Sequence, residues 1–263
     1  MKYNLDIQDP IITSLGIKAI IGFYNAMSID KMNNNGVFAF VSGVQSLFLN
    51  VVIDSINNKS NNNYLLNNFQ TFFQKFNMPW VWFISPASYD NNLEYLGFKF
   101  IEEAPAMYFD LQNELPNDFN VDIEIQKLDR TDELKSWIIP IKEAYEAKEE
   151  DDSFRKLNYE ILQKGSNQFI HFVATSKNKI VGSGTLFCSD DSVMLHNLAT
   201  KREYTRQGIG TALTIFIMSK AKELGFKHCF LDSSEEGFNM YKRIGFKIYS
   251  TTLAYSNTIN ECC

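Results

Sequence analysis

Apolar positions recur along the chain at two spacings, and the switches between them outline a succession of helices and strands. Asp9–Met27 carries apolar residues at helical spacing. Val37–Val41 and Ser46–Ile53 read as strands on either side of a Ser42-Gly43 turn. The polar run Asn57–Asn63 interrupts the pattern before a helix over 64–76. Trp80–Ile84 is predicted as a strand and Tyr89–Leu96 as a short helix closed by Gly97, with further strands at Phe98–Ile101 and Ala106–Leu111. Leu115-Pro116-Asn117-Asp118 has the composition of a linker. Beyond it come a strand at Val121–Lys127 and helices over 131–147 and 153–163, the second stopped by Gly165. Strands follow at Phe169–Thr175, Lys179–Cys188 and Ser192–Ala199, then a helix over 208–224 and a strand at His228–Asp232. A helix over 237–244 ends at Gly245, and the last strands run from Phe246 to Tyr255.

The succession repeats. Trp82–Phe100 (WFISPASYDNNLEYLGFKF) lies over Phe230–Ile248 (FLDSSEEGFNMYKRIGFKI) at an offset of 148, and Leu47–Asn50 matches Met194–Asn197 at an offset of 147. Order and offset persist across both matches, which points to an internal duplication with halves at 1–116 and 117–263. The length of 263 residues agrees, since single domains usually hold roughly 100 to 200.

Composition narrows the class. Hydrophobic residues make up 45% of the chain and include 22 Phe, ample for packed cores and incompatible with a disordered or fibrous protein. The net charge of -6 argues against a general binder of nucleic acid or of anionic membrane. Gly36–Ile53, the most apolar stretch, is broken by Ser42, Gln45, Ser46 and Asn50, too polar for a membrane span. The first ten residues carry acids where a secretory signal has its apolar centre. Cys188 and Cys229 sit in apolar strand runs, and Cys262-Cys263 have no His or second Cys pair at metal-ligand spacing. No metal site is expected, and the compartment is expected to be reducing and cytoplasm-like. Charge is also uneven: residues 1–120 hold six Lys, no Arg and 11 acids, while all five Arg (130, 155, 202, 206 and 243) lie beyond them. Arg suits forked phosphate contacts, so a phosphate ligand is expected in the second half.

The sharpest local signal is Leu195–Leu213 (LHNLATKREYTRQGIGTAL), where a strand runs into a glycine-containing turn that opens a helix. Such a turn aims unpaired backbone N–H groups at one point with the positive helix end behind them, an anion site suited to a pyrophosphate. Gly208 and Gly210 allow close approach, and Arg206 adds charge. No Gly-Lys-Ser/Thr follows, so it is not a P-loop, and Leu213 stands where the dinucleotide fingerprint has its third glycine.

Thr205-Arg206-Gln207-Gly208-Ile209-Gly210 resembles the coenzyme A signature of the GNAT superfamily of N-acetyltransferases, Arg/Gln-x-x-Gly-x-Gly/Ala, with Thr205 departing at the first position. Ser233–Phe246 resembles that family's second motif, which ends in Tyr-x-x-x-Gly-Phe. The resemblance covers about 121–255. It implies an α/β (α+β) architecture of tandem GNAT-like domains, each a mixed, mostly antiparallel central sheet flanked by helices. It further implies transfer of an acetyl group from acetyl-CoA, as co-substrate, to a primary amine on a small molecule, peptide or protein. The amine would attack directly in a ternary complex, without a metal. By the same resemblance Leu198, Ala199 and Thr200 meet the pantetheine arm and acetyl carbonyl with backbone groups. The amides of Arg206, Gln207, Gly208, Ile209, Gly210 and Thr211 cradle the pyrophosphate. Ser234 falls where many members have an Asn touching the coenzyme arm, and Tyr241 matches the Tyr that protonates the leaving thiolate. Where some members have a Glu base this chain has Met194. His196, expected on the same strand face as Met194 and Leu198, is the alternative base, ahead of His171 and His228.

Glu143, Glu146, Glu149, Glu150, Asp151 and Asp152 form either a solvated helix end or an acidic rim attracting a cationic amine. The first half has Asn61-Asn62-Asn63 near the position of Gly208–Gly210 and Leu93 at that of Tyr241. It reads as a degenerate copy that has lost coenzyme binding, with Trp80 and Trp82 in its core. The competing reading is a non-catalytic acyl-CoA sensor or interaction module. O-acetyl transfer or another acyl donor also fits the signature.

Overall fold

Helix α1 (Pro10–Met27) starts where Asp9 Oδ1 accepts the Ile11 N–H at 2.8 Å and Pro10, lacking an N–H, takes the first helical position. This is a computed structural model, and it describes residues 2–54, 62–85, 92–116, 121–145, 152–164 and 167–256. Strands β1 (Asp30–Asn34), β2 (Val37–Val41) and β3 (Val51–Asp54) follow, then helix α2 (Asn62–Gln74), strand β4 (Val81–Ile84), helix α3 (Asn92–Tyr95) and strand β5 (Lys99–Asp110). The chain continues through β6 (Glu124–Lys127), helices α4 (Leu134–Ala144) and α5 (Ser153–Gln163), and strands β7 (Phe169–Ser176), β8 (Lys179–Cys188) and β9 (Ser192–Thr200). Helix α6 (Ile209–Glu223), strand β10 (His228–Asp232), helix α7 (Glu235–Ile244) and strand β11 (Lys247–Ser256) complete it.

The chain divides into two compact units. Unit 1 runs up to Met107 and adds Asp232–Glu235 and the segment from Lys247; unit 2 is Tyr108–Leu231 with Glu236–Phe246. In unit 1 the strands lie in the order β1-β2-β3-β4-β11-β5, so the last strand of the chain inserts beside β4, pairing Leu253 with Ile84 and Tyr255 with Trp82. In unit 2 the order is β10-β9-β8-β7-β6, with the end of β5 beside β10, where the Tyr108 hydroxyl lies 3.0 Å from His228 Nδ1. Each unit is mostly antiparallel around one parallel pair, β3 with β4 and β9 with β10. A helix joins each pair, as a parallel connection requires.

Phe69, Phe73, Trp80, Trp82 and Phe98 fill the core of unit 1, with the Phe73 and Trp80 rings stacked at 4.8 Å. Both tryptophans are core residues, as their strand setting suggests. Helix α1 lays Ile12, Gly16, Ala19, Phe23 and Met27 inward. Among the described residues it is also the one helix long and apolar enough to cross a membrane by length and composition. In unit 2, successive residues of β8 face different helices. The Ser183 hydroxyl donates to the Trp137 carbonyl of α4 (2.6 Å), whereas a Cβ on Gly184 would point at Ile217 and Leu213 of α6.

Several elements differ from their sequence expectation. β1 is DKMNN, too polar to stand out, and its pairing with β2 makes it a strand, with Met32 packed against the core. Residues Leu47–Leu49 form a 3-10 turn that delays β3 to Val51, and Thr131–Glu133 is a 3-10 turn before α4. The two short strands expected around Pro105 are one 12-residue strand, β5, and Phe246–Tyr255 holds one strand rather than several. Residues 55–61 and 86–91, Asn117-Asp118 of the expected linker, Gly165, 146–151 of the acidic run and Cys262-Cys263 lie outside the described residues.

Candidate active site

The turn between β9 and α6 presents a row of unpaired donors. Arg202–Tyr204 makes a 3-10 turn whose first amide, from Arg202, donates to Glu143 Oε1 at 2.7 Å. Thr205 closes it, its hydroxyl donating to the Arg202 carbonyl at 2.9 Å. Arg206 (φ 59°) and Gly208 (φ 84°, ψ −4°) then turn the chain through the left-handed region. The first bond into α6 is Ala212 N–H to the Gly208 carbonyl (3.0 Å). The N–H groups from Arg206 to Thr211 therefore find no acceptor among the described residues, and they stand at the positive end of a 15-residue helix. Arg206, Gln207 and Gly208 are exposed, and the Arg206 guanidinium has no partner among the described residues. A Cβ on Gly208 would lie 3.0 Å from Val121 Cγ2, and one on Gly210 would lie 3.2 Å from Met240 Sδ. The shape and donor set fit a pyrophosphate, as the motif implies.

The strand leading into this turn is bulged. β8 and β9 pair Thr185 with His196 but Ser183 with Ala199, so Asn197 and Leu198 stand opposite Gly184 alone. Asn197 is left-handed (φ 54°). The bulge corrects one expectation. His196 lies opposite Thr185 and faces the α4 side with Met194, whereas the Leu198 side chain crosses to the α6 side, its Cδ2 2.9 Å from where a Gly184 Cβ would be. His196 and Leu198 do not share a face, because the extra residue breaks the two-residue alternation between them. Leu198 and Thr200 are half-buried and Ala199 is buried.

Tyr241 sits on α7 next to Met240, the residue that abuts Gly210, so the middle of that helix packs beside the turn. It is buried (8% exposed) against Phe246. Burial, with Tyr145 and Cys229 close by, raises its hydroxyl well above the ordinary tyrosine value of 10.0, so the phenol keeps its proton. His196 is pulled the other way. Desolvation lowers it from 6.5 to about 3, although part of the residue reaches solvent, and the ring is neutral at physiological pH. Met194 is 2% exposed and leaves that position without a carboxylate. Ser234 is exposed in the segment between β10 and α7 that belongs to unit 1. The acidic run is partly engaged: Glu143 holds the Arg202 amide, and Asp152 is paired with Arg155. No group of three or more metal-ligating side chains occurs among the described residues.

Residues 167–248 match the family model of the acetyltransferase (GNAT) domain. The chain carries a GNAT acetyltransferase domain. A GCN5-related N-acetyltransferase from Kribbella flavida shares its fold at a TM-score of 0.73 and 14% identity, covering 93% of this chain and 95% of that one. A functionally unknown conserved protein from Staphylococcus epidermidis aligns at a TM-score of 0.64 and 13% identity over 86% of this chain and 92% of its own. A GCN5-related N-acetyltransferase from Sphaerobacter thermophilus gives 0.63 and 14% over 84% and 76%. No curated protein matches the sequence. The match over 167–248 supports an acyltransferase.

Sequence reasoning picked out the cradle but passed over Tyr145, Thr185, Asn197 and Trp137. Gly182 and Gly184 inside one strand were the available signal, since glycine in a strand interior marks a bulge or a close backbone approach.

Proposed function

We propose that this protein is an N-acetyltransferase that moves an acetyl group from acetyl-CoA to a primary amine, with its catalytic centre in the 117–263 half. The observation that carries the reading is the run of N–H groups from Arg206 to Thr211, unpaired at the start of α6. Those amides and Arg206 would hold the pyrophosphate, and Leu198, Ala199 and Thr200 would meet the pantetheine arm and the thioester carbonyl. Ser234 is assigned to the coenzyme arm. Acetyl-CoA supplies the activated acyl group. The amine nitrogen bonds to the carbonyl carbon, the carbon–sulfur bond breaks, and the Tyr241 hydroxyl protonates the departing thiolate. Holding amine and thioester together supplies most of the rate, up to roughly 7 to 11 kcal/mol in favourable cases. His196, neutral and weakly basic, is the remaining side chain for the amine's proton. An amine that binds already uncharged makes the smallest demand on it.

The 1–116 half is proposed to be a degenerate second copy. Both halves run through a hairpin, a third strand, a helix, a parallel strand, a short helix and a final strand. Leu93, buried at 2% exposure in the aromatic core, stands where the other copy has Tyr241. The acceptor class stays broad: small-molecule amines, peptides and protein lysines. Glu143 and Asp152, bonded within the chain, favour a solvated helix end over an acidic rim. The free thiols Cys188 and Cys229 suit a reducing, cytoplasm-like setting.

The test is thiol release from acetyl-CoA against polyamines, lysine-containing peptides and aminoglycosides. Release with at least one amine is expected. The buried Met194 at the carboxylate position favours a second reading, an acyl-CoA sensor. Tight acetyl-CoA binding without release across the panel would establish that reading instead.

A further inference from the structure

The bulge in β9 is held from behind by a chain of buried polar groups. Asn197 Nδ2 donates to Thr185 Oγ1 at 3.3 Å, and that oxygen lies 2.9 Å from His171 Nδ1. Thr185 is fully buried and His171 is 1% exposed. The His171 ring packs on Trp137 with centroids 4.4 Å apart. Trp137 in turn donates its Nε1–H to the Gly184 carbonyl at 3.3 Å and accepts the Ser183 hydroxyl on its own carbonyl at 2.6 Å. Both sides of the register slip, Ser183 and Thr185, are thus tied to one assembly of Trp137 and His171.

The arrangement has a specific mechanical sense. An L-residue in the left-handed region is strained, and Asn tolerates it best when its side chain finds a local partner. Thr185 is that partner. With Asn197 held, the next peptide turns over and Leu198 crosses to the α6 side, where only a glycine at 184 leaves room for it. The imidazole that backs Thr185 is kept neutral by burial, lowered to about 3, so the contact does not switch with pH over the working range. None of these side chains belongs to the cradle at Arg206–Thr211.

The geometry points to Thr185, backed by His171, as a positioning residue for acetyl transfer: it fixes Asn197 in its left-handed conformation and thereby sets the direction of the Leu198 peptide toward the thioester carbonyl. This rests on the reading of Leu198 as a carbonyl contact. Binding through the pyrophosphate cradle is a separate matter, and loss of Thr185 Oγ1 affects orientation of the acetyl group far more than affinity for the coenzyme.

The experiment uses the full chain and acetyl-CoA labelled with 13C at the carbonyl. Calorimetry first measures acetyl-CoA binding to the parent. If the parent does not bind, the functional reading above fails and the positioning role falls with it. If the parent binds, the carbonyl resonance of the bound thioester is expected to move downfield, reporting a hydrogen bond to that oxygen. Thr185→Val, which keeps shape and removes the hydroxyl, is expected to lose most of that downfield shift. Its acetyl-CoA affinity should stay within about a factor of two of the parent, because the phosphate contacts that dominate binding are intact. Thr185→Ser is expected to restore the shift. With an amine found active in the panel, Thr185→Val lowers kcat by about tenfold to a hundredfold and leaves the acetyl-CoA KM nearly unchanged. Asn197→Gly adopts the same backbone without the side-chain tie and serves if Thr185→Val does not fold; it should also lose the shift. An unchanged carbonyl resonance in either folded variant, or failure of Thr185→Ser to restore it, overturns the proposal.

Discussion

The proposed pyrophosphate cradle depends on one backbone conformation that a single methyl group can disturb. At Gly208 the chain has φ 84° and ψ −4°, and a Cβ there would stand 3.0 Å from Val121 Cγ2. For an L-residue the left-handed conformation costs about 1 to 2 kcal/mol. Replacing glycine also reduces the freedom of the unfolded chain, which offsets about 0.4 to 1 kcal/mol. In the free protein the exposed Arg206–Gly208 turn can relax by rotating φ, since none of its amides is bonded among the described residues. Gly208→Ala should therefore lower thermal stability little. Binding is different, because amides that have rotated must return to face the anion, and the strain of about 1 to 2 kcal/mol reappears as a loss of affinity of about 5- to 30-fold. Calorimetric titration with acetyl-CoA and with free CoA should give the same loss for both, since the pyrophosphate is common to them. Adding Val121→Ala removes the crowding but leaves the φ cost, so the double variant should recover only part of the affinity. If Gly208→Ala binds acetyl-CoA as tightly as the parent, this turn is not the pyrophosphate site.

Tyr241→Phe should reduce kcat by about 10²- to 10⁴-fold with little change in the acetyl-CoA KM, and the parent should show no loss of activity from phenol ionisation near pH 10, because burial holds that proton on; unchanged turnover removes Tyr241 as the acid. In unit 1, a Cβ on Gly16 would run into the Tyr249 ring, with Cε2 at 2.8 Å, and a buried ring cannot yield as a flexible side-chain end can. Gly16→Ala should destabilise the protein by about 1 to 3 kcal/mol in denaturant unfolding, and an unaltered midpoint would show that α1 is free to lift away. Asp232 reaches solvent, yet desolvation and the Glu102 charge raise its carboxyl from 3.8 to about 7. A raised acid favours folding fully below its unfolded value and loses that contribution as pH climbs through about 7. Asp232→Asn should accordingly gain melting temperature relative to the parent at pH 8 and not at pH 4, and equal differences at both would refute the assignment.

Where the sequence was legible, one local rule was enough. The α6 segment, β8 and β10 were readable because periodicity, turn residues and burial all agree there, and the TRQGIG turn could be read as an anion cradle because its chemistry is backbone chemistry set by two glycines. β1 was missed because DKMNN has no apolar alternation, and only its pairing with β2 makes it a strand. The placement of β11 next to β4 could not be read from either half alone, since it joins positions about 170 residues apart through backbone hydrogen bonds that any strand can make. The bulge at Asn197 is the instructive failure. Strict alternation put His196 and Leu198 on one face, and a single extra residue, held by Thr185, separates them.

That separation also bears on how the acceptor loses its proton. Met194 supplies no carboxylate, and His196 faces away from Leu198 with a ring lowered to about 3. An alkylammonium has a pKa of about 10, so moving its proton to such a ring is uphill by about 7 units, roughly 9 to 10 kcal/mol at 1.36 kcal/mol per unit. That cost would consume nearly all of the roughly 7 to 11 kcal/mol that orientation can supply, leaving little to lower the barrier. On the proposed N-acetyl transfer, the neutral amine, present at about one part in a thousand at pH 7, would therefore be the form that reacts, bulk water removing its proton before binding. Below the acceptor's own pKa, kcat/KM for the amine should rise about tenfold per pH unit, and a less basic amine should move the inflection down by the difference between the two amine pKa values. His196→Gln should leave that profile in place. An inflection near 6.5 that stays fixed when the amine is changed, and disappears in His196→Gln, would instead make His196 the base and require its surroundings to open when acetyl-CoA binds.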